Sequence, residues 1–411
     1  MANDEANRPL AGLTVIDLTR ALAGPFATLL LAGLGATVIK IEHPRDGDAR
    51  DASPYLGRDG ITLRRRHDDD MPFSNLIRLR GKLGITLNFK HPEATGIFAD
   101  LVRDADIVVE NFSAGVSERL GIGYSAASAV NPRIVYCSIS GFGQGNGGKA
   151  MDNVIQALSG LMMVSGDEGD PPIRIGVPTA DVLTPLYAVI GVLSAIEQRH
   201  RTGVGQYVDV SMLGTMTSFL AVEPVTILER LGVPARTGPT VPRLAPFGAY
   251  RASDGWVVIC ASGYKLLPSF APLIGHPEIL DDPRFATQEA RIHHYRELDQ
   301  IVESWTVRQT AEEAARLLNE HGVAAAVVRS PAEALTDPRV LARGEVEPLE
   351  HPTYGVTDEA YGPGLPITFS DAVADHDQPP PWHGEHNDLV YGERLGYSAE
   401  RLARLKAEGA I

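Results

Sequence analysis

Cysteine is nearly absent: Cys137 and Cys260 are the two thiols in a chain of 411 residues. Two cysteines cannot build a disulfide framework or a Cys-based zinc site, and their scarcity suits a reducing, cytoplasmic setting. The histidines do not supply a metal site either, because no His-x-x-x-His pair occurs. Basic residues are short as well, 37 Lys+Arg against 52 Asp+Glu, for a net charge of −15. That balance argues against nucleic acid as the main partner, since phosphate backbones need a basic surface. A local basic pocket for a phosphorylated ligand stays open. The chain has no internal repeat, no low-complexity tract and no Gly-x-Ser-x-Gly elbow to support a serine hydrolase. A charge-free run, Ala21–Ile39, is cut by Pro25 and three glycines, and no basic segment with a cleavage site precedes it. It reads as helix, turn and strand, not as a membrane span or signal peptide.

The composition is that of a globular protein, 44% hydrophobic and 22% charged, and the length predicts two or three domains. The first half alternates strand and helix. Strands are expected at Thr14–Thr19, Thr37–Glu42, Gly84–Asn88, Asp106–Glu110, Arg133–Ser140 and Tyr207–Met212. Between them lie a helix from Pro25 to about Ala32, one opened by Pro92, and an apolar helix over Thr184–Ile196. The charged run Arg64–Asp70 reads as a solvated loop with its own ion pairs. This alternation predicts a largely parallel α/β sheet with helices on both faces, a Rossmann-like large domain over residues 1–215. Residues 216–246, rich in Pro and Gly near their end, read as a linker and active-site loop. A hairpin turning at Ser253–Asp254–Gly255 then opens a smaller α+β domain, residues 247–337.

Gly143-Gln-Gly-Asn-Gly-Gly-Lys149 nearly matches a phosphate-cradling P-loop, but Ala150 stands where Mg²⁺ needs a hydroxyl. The loop therefore points to a phosphorylated ligand and not to ATP hydrolysis. The opening strand–helix unit lacks Gly-x-Gly-x-x-Gly, so nothing supports NAD. Asp181 stands directly before the apolar helix, and Asp152 follows the glycine-rich loop just ahead of a helix over Val154–Met163. Each carboxylate suits a helix cap. Two acids at helix mouths beside a phosphate-binding candidate equally suit a shared site.

Several segments resemble the family III CoA-transferases, which include formyl-CoA transferase and the α-methylacyl-CoA racemases. They are Leu18-Thr-Arg-Ala-Leu-Ala-Gly-Pro25, Gly35-Ala-Thr-Val-Ile-Lys-Ile-Glu42 and Ala105-Asp-Ile-Val-Val-Glu-Asn-Phe112. Arg119-Leu-Gly121, Ser140-Gly-Phe-Gly143, Gln156-Ala-Leu-Ser-Gly160 and Thr202-Gly-Val-Gly-Gln206 follow in the same order. The resemblance implies an aspartate nucleophile, Asp181. It further implies CoA contacts at Leu22, Ala23, His43, Leu79, Arg80, Gly81, Lys82, Asn111, Phe112, Ser113, Arg119, Lys149, Ala150, Met151 and Asp152. Among these, Arg119 and Lys149 have the charge to meet CoA phosphates.

The implied activity moves CoA between an acyl-CoA and a free carboxylic acid through an aspartyl-CoA thioester. CoA and acyl-CoA are then substrates, with no tightly bound cofactor. Arg243 in the variable loop would suit the second carboxylate of a dicarboxylic acid. Two alternatives stay beside it: an α-methylacyl-CoA racemase, weakened because Met151 stands where racemases carry a proton-exchanging His, and a non-catalytic CoA-binding protein. The resemblance also implies an interlaced homodimer in which residues 338–411 return to complete the large domain.

Overall fold

The computed structural model describes residues 7–45, 47, 50–263 and 265–411. Two compact units account for it. The first comprises residues up to Leu158, Val177–Thr217 and Leu335–Ile411; the second comprises Ser159–Gly176 and Ser218–Ala334.

The first unit is built on six strands: β1 (Thr14–Asp17), β2 (Thr37–Glu42), β3 (Lys82–Thr86), β4 (Ile107–Glu110), β5 (Val135–Ser140) and β6 (Tyr207–Ser211). All pair in parallel, in the order β3-β2-β1-β4-β5-β6. This is the doubly wound order, in which the chain reverses its direction of travel between β1 and β4. Ligands of such sheets bind beyond the carboxyl ends of the strands at that reversal. Val15 pairs with Val38 on one side and Ile107 on the other, and these continuous β-branched runs suit strands buried on both faces.

Helix α1 (Ala23–Gly33) carries Pro25 in its first turn, where no N–H is needed. It ends before Gly35, whose φ of 100° a side chain would strain. Helix α2 (Ala94–Arg103) buries Ile97, Phe98, Leu101 and Val102 against the sheet. Each such side chain contributes about 1.5–3 kcal/mol by leaving water. The same core receives Leu405, Ala410 and Ile411, so the C-terminal stretch closes the first unit. Helix α3 (Asp152–Leu158) is short because Gly160, at φ 86°, breaks it, and a separate turn, Leu161–Met163, follows. The expected Val154–Met163 helix is thus two pieces.

Helix α4 (Thr179–Thr202) is long and apolar enough by composition to cross a membrane, yet half of its most apolar window is buried inside the protein. It packs on α1, β5 and β6. Gly203 at φ 75° caps it by donating its N–H to the Arg199 carbonyl at 2.8 Å.

In the second unit, strands β7 (Phe247–Arg251), β8 (Trp256–Cys260) and β9 (Ala324–Val327) form an antiparallel sheet. Its core gathers Phe270, Leu298, Trp305 and Leu318. Residues 159–176, expected in the large domain, belong to this unit, as does the expected linker from Ser218 onward. The buried Arg236 guanidinium explains the first placement, because it donates to the Met162, Met163 and Asp170 carbonyls.

Candidate active site

The reversal between β1 and β4 carries a cavity of about 180 Å³, formed entirely within the first unit. That is below the roughly 300–1,000 Å³ of a drug-sized pocket, a scale for the reacting end of a ligand. One wall is the loop after β1, Arg20–Ala23, and the next is the loop after β4, Asn111–Ala114. The Asn111 side chain ties them together. Its Oδ1 accepts from Arg20 N–H at 2.7 Å and its Nδ2 donates to the Arg20 carbonyl at 2.8 Å. A Cβ on Gly24 would lie 2.3 Å from the Thr19 side chain, so this close approach requires glycine.

Asp152 and Asp181 share the same cavity. Asp181 lies inside the first turn of α4, not ahead of it as its sequence context suggests. It does not cap the helix. Asp152 does, from α3: its Oδ1 accepts from Ala180 N–H at 2.8 Å, while Oδ2 accepts from the Gln156 amide at 2.7 Å. One carboxylate therefore spends its lone pairs on the helix mouth and leaves the other to the cavity. Burial first, and then the neighbouring Asp152 charge, push the Asp181 carboxyl up to about 6. Such a group is ionised at neutral pH and more basic than a free aspartate, which suits a nucleophile.

A family profile, CoA-transferase family III, matches residues 10–387. The chain belongs to CoA-transferase family III. It is 33% identical to a succinyl-CoA–D-citramalate CoA-transferase of Chloroflexus aurantiacus, over all of both chains. It is 30% identical to the human succinyl-CoA:glutarate CoA-transferase, over 98% of this chain and 90% of that one. Among solved structures, a CAIB/BAIF family protein from Brucella suis superposes with a TM-score of 0.79 at 33% identity, covering 94% of this chain and 99% of that one.

Within this family III chain, the cavity brings together Ala23, Asn111, Phe112, Ser113, Ala150, Met151, Asp152 and Asp181 from the sequence-derived set. Leu22 sits between two lining residues at the mouth of α1. Arg119 and Lys149 are exposed, and among the described residues neither has an ion-pair partner, so both are available to phosphate. The segment Leu79–Lys82 behaves differently. Arg80 pairs with Glu347 at 2.7 Å and donates to the Pro363 carbonyl at 2.6 Å. The Lys82 ammonium is fully buried against Asp17 at 3.1 Å. Their charges are spent inside the fold, and Leu79 is buried beside them, while Gly81 takes a φ of 67° that opens the turn into β3. His43 lies beyond the end of β2, where its carbonyl meets the His383 ring at 3.0 Å, and it does not line the cavity. Arg243 lies in the second unit, in a two-pronged ion pair with Glu223, Nε to Oε1 at 2.8 Å and Nη2 to Oε2 at 2.9 Å. Sequence reasoning missed Arg20 and Ser140 as lining residues. Arg20 lies inside the Leu18–Pro25 segment, but no local feature marks it as facing a ligand.

The pH consequence follows from sign. A nucleophilic Asp181 would have to be ionised, so for that role kcat/KM is expected to fall tenfold per unit below a midpoint near 6. In Asp152→Asn the amide oxygen still caps α4 but the repelling charge is gone. The acid limb should then move to lower pH, partway to an ordinary aspartate because burial remains. A pH–rate profile with an unmoved limb would remove Asp152 as a cause.

Proposed function

We propose that the chain exchanges CoA between an acyl-CoA and a free carboxylic acid, with Asp181 as the nucleophile and dicarboxylic acids as the substrate class. The Asp181 carboxylate attacks the thioester carbonyl, the C–S bond breaks, and a mixed anhydride forms as CoA thiolate leaves. The thiolate attacks the aspartyl carbonyl, frees the first acid and leaves an enzyme thioester. The acceptor carboxylate repeats the two steps in reverse order, so thioester energy is conserved and Asp181 is regenerated. One observation carries the reading: a carboxylate raised to about 6 stands in a small cavity, relieved of capping by a second acid. Two relatives whose names pair succinyl-CoA with citramalate or glutarate support the dicarboxylic class.

The test is a mass-spectrometric exchange screen in D₂O, with several acyl-CoA donors and a panel of short mono- and dicarboxylic acids. New acyl-CoA species without deuterium at the α-carbon are expected, since Met151 has no proton to exchange. Deuterium incorporation without transfer would favour the racemase alternative. Unaltered acyl-CoA with every acid would leave only CoA binding.

The same reading includes an interlaced homodimer. Support comes from Leu186, Tyr187 and Ile190, which stand 43–60% exposed on α4, an apolar face a monomer would leave in water. Light scattering should give twice the 44.1 kDa chain mass, and a single-chain mass with full activity would discard the dimer.

A further inference from the structure

Three charged side chains line the cavity: Asp152, Asp181 and Arg20. Arg20 is the one cation among them. Its main chain is held on both sides by Asn111, and its guanidinium carbon lies 5.5 Å from the centre of the Phe112 ring, a cation–π platform. Among the described residues no carboxylate or carbonyl oxygen bonds to that guanidinium. Arg20 is exposed at the cavity mouth, like the unpaired Arg119 and Lys149, whereas the more buried Arg50, Arg80 and Arg199 are each paired with a carboxylate. The wall also includes Ser140, whose buried hydroxyl finds no partner in the protein.

A carboxylic acid entering this cavity meets two negative charges and, on the wall itself, the Arg20 cation, while Arg78 acts on Asp181 from outside the lining. Once Asp181 carries CoA as a thioester, the reacting carboxylate no longer faces its charge. A second carboxylate, which takes no part in the chemistry, still needs a counter-ion in a partly desolvated space. The planar guanidinium suits it, offering paired N–H donors to two oxygens.

We propose that Arg20 anchors the non-reacting carboxylate of a dicarboxylic acid, in the free acid and in its CoA thioester, and so sets the preference for diacids over monoacids. This rests on the transfer reading and assigns its specificity to one residue. Lysine keeps the charge but loses the fork, so Arg20→Lys should fall between wild type and Arg20→Gln.

The experiment uses the full chain with butyryl-CoA as a donor that has no second carboxylate. Acceptors are glutarate and pentanoate, which match in length and differ in the far carboxylate. Wild type is expected to favour glutarate by about 10²-fold in kcat/KM, the scale for losing a built polar partner in a half-open site. In Arg20→Gln that ratio should collapse to within about threefold of one, through KM for glutarate. An unchanged ratio, or an equal fall for both acids, would overturn the anchor and leave the transfer reading standing. No transfer by wild type to any acid, from butyryl-CoA or from succinyl-CoA, would overturn both. Calorimetric binding of glutarate to the CoA-loaded protein reads the anchor without turnover: equal affinity in wild type and Arg20→Gln overturns it.

Discussion

Replacing Asp181 with Ala or Asn is expected to reduce CoA transfer by about 10⁴-fold or more while leaving CoA binding in place, because the proposed reaction then loses its nucleophile and its acyl intermediate. Asp152 is occupied by the mouth of α4, and the Ser140 hydroxyl has no hydrogen-bond partner that could serve as its base. Wild type incubated with acyl-CoA alone should gain the mass of CoA on Asp181, released by hydroxylamine, and Asp181→Asn should not. Stability separates this result from a structural role. Since Asp152 caps α4, removing the Asp181 side chain leaves the helix mouth satisfied. The raised carboxyl pKa further means that the folded state disfavours the ionised form at neutral pH. Asp181→Asn should therefore melt at or above the wild-type temperature. An inactive variant that melted well below wild type would instead mark Asp181 as a structural cap. Asp181→Glu should remain poor, since moving the attacking oxygen by about 1 Å costs roughly 10²-fold.

Much of this arrangement is legible in the chain because it is local. Continuous runs such as Val15–Ile16 and Val135–Tyr136 have the composition of doubly covered strands, and Pro25 and Gly35 bracket α1 as end signals do. What sequence reading missed was set at long range. Asp181 falls inside α4 because its cap comes from Asp152, 29 positions earlier. Residues 159–176 join the second unit because Arg236, more than 60 positions away, gathers their carbonyls. Lys82 stands among the CoA contacts that the resemblance implies, and nothing near it in sequence announces that its ammonium is paired inside the fold with Asp17, 65 positions away. Arg20 carries the converse lesson: its neighbours in sequence say nothing, and its significance lies in having no acid beside it in space.

The largest loss of stability is expected from Asp17→Ala. Asp17 ends β1, fully buried, with Lys82 Nζ at 3.1 Å and Lys40 Nζ at 3.6 Å. The hydroxyls of Thr19 and Thr28 donate to it at 2.5 and 2.6 Å. Burial acts to raise its pKa, but the two ammonium groups and two hydroxyls outweigh it and hold the carboxyl well below the usual range. Burial also draws Lys82 down to about 8, even with the Asp17 charge supporting it. Without Asp17, Lys40 and Lys82 stand in a dry interior with no counter-ion, and Lys82 must release its proton or hold it unpaired, an arrangement that costs about 3–5 kcal/mol. For a unit of this size that is a melting shift of roughly 10 °C. The sign with pH follows from the depressed carboxyl: the wild-type advantage should be complete at neutral pH and shrink only below about pH 4. The effect should reach the cavity, because Lys40 donates to the Thr19 carbonyl and Lys82 to the Pro25 carbonyl at 2.9 Å. Those carbonyls flank the Arg20–Ala23 wall, where Ala21 holds a φ of 60° that costs an alanine about 1 kcal/mol. Substituting Asp17, Lys40 and Lys82 together by apolar residues of similar volume should recover much of the stability, since a buried ionic cluster is often no better than a packed apolar one. Activity should not recover with it, because the loop would then have lost the groups that hold its carbonyls. Calorimetric melting of the single and triple variants beside their transfer rates decides the point, and a single variant that melts within about 2 °C of wild type would remove Asp17 as the keystone of this unit.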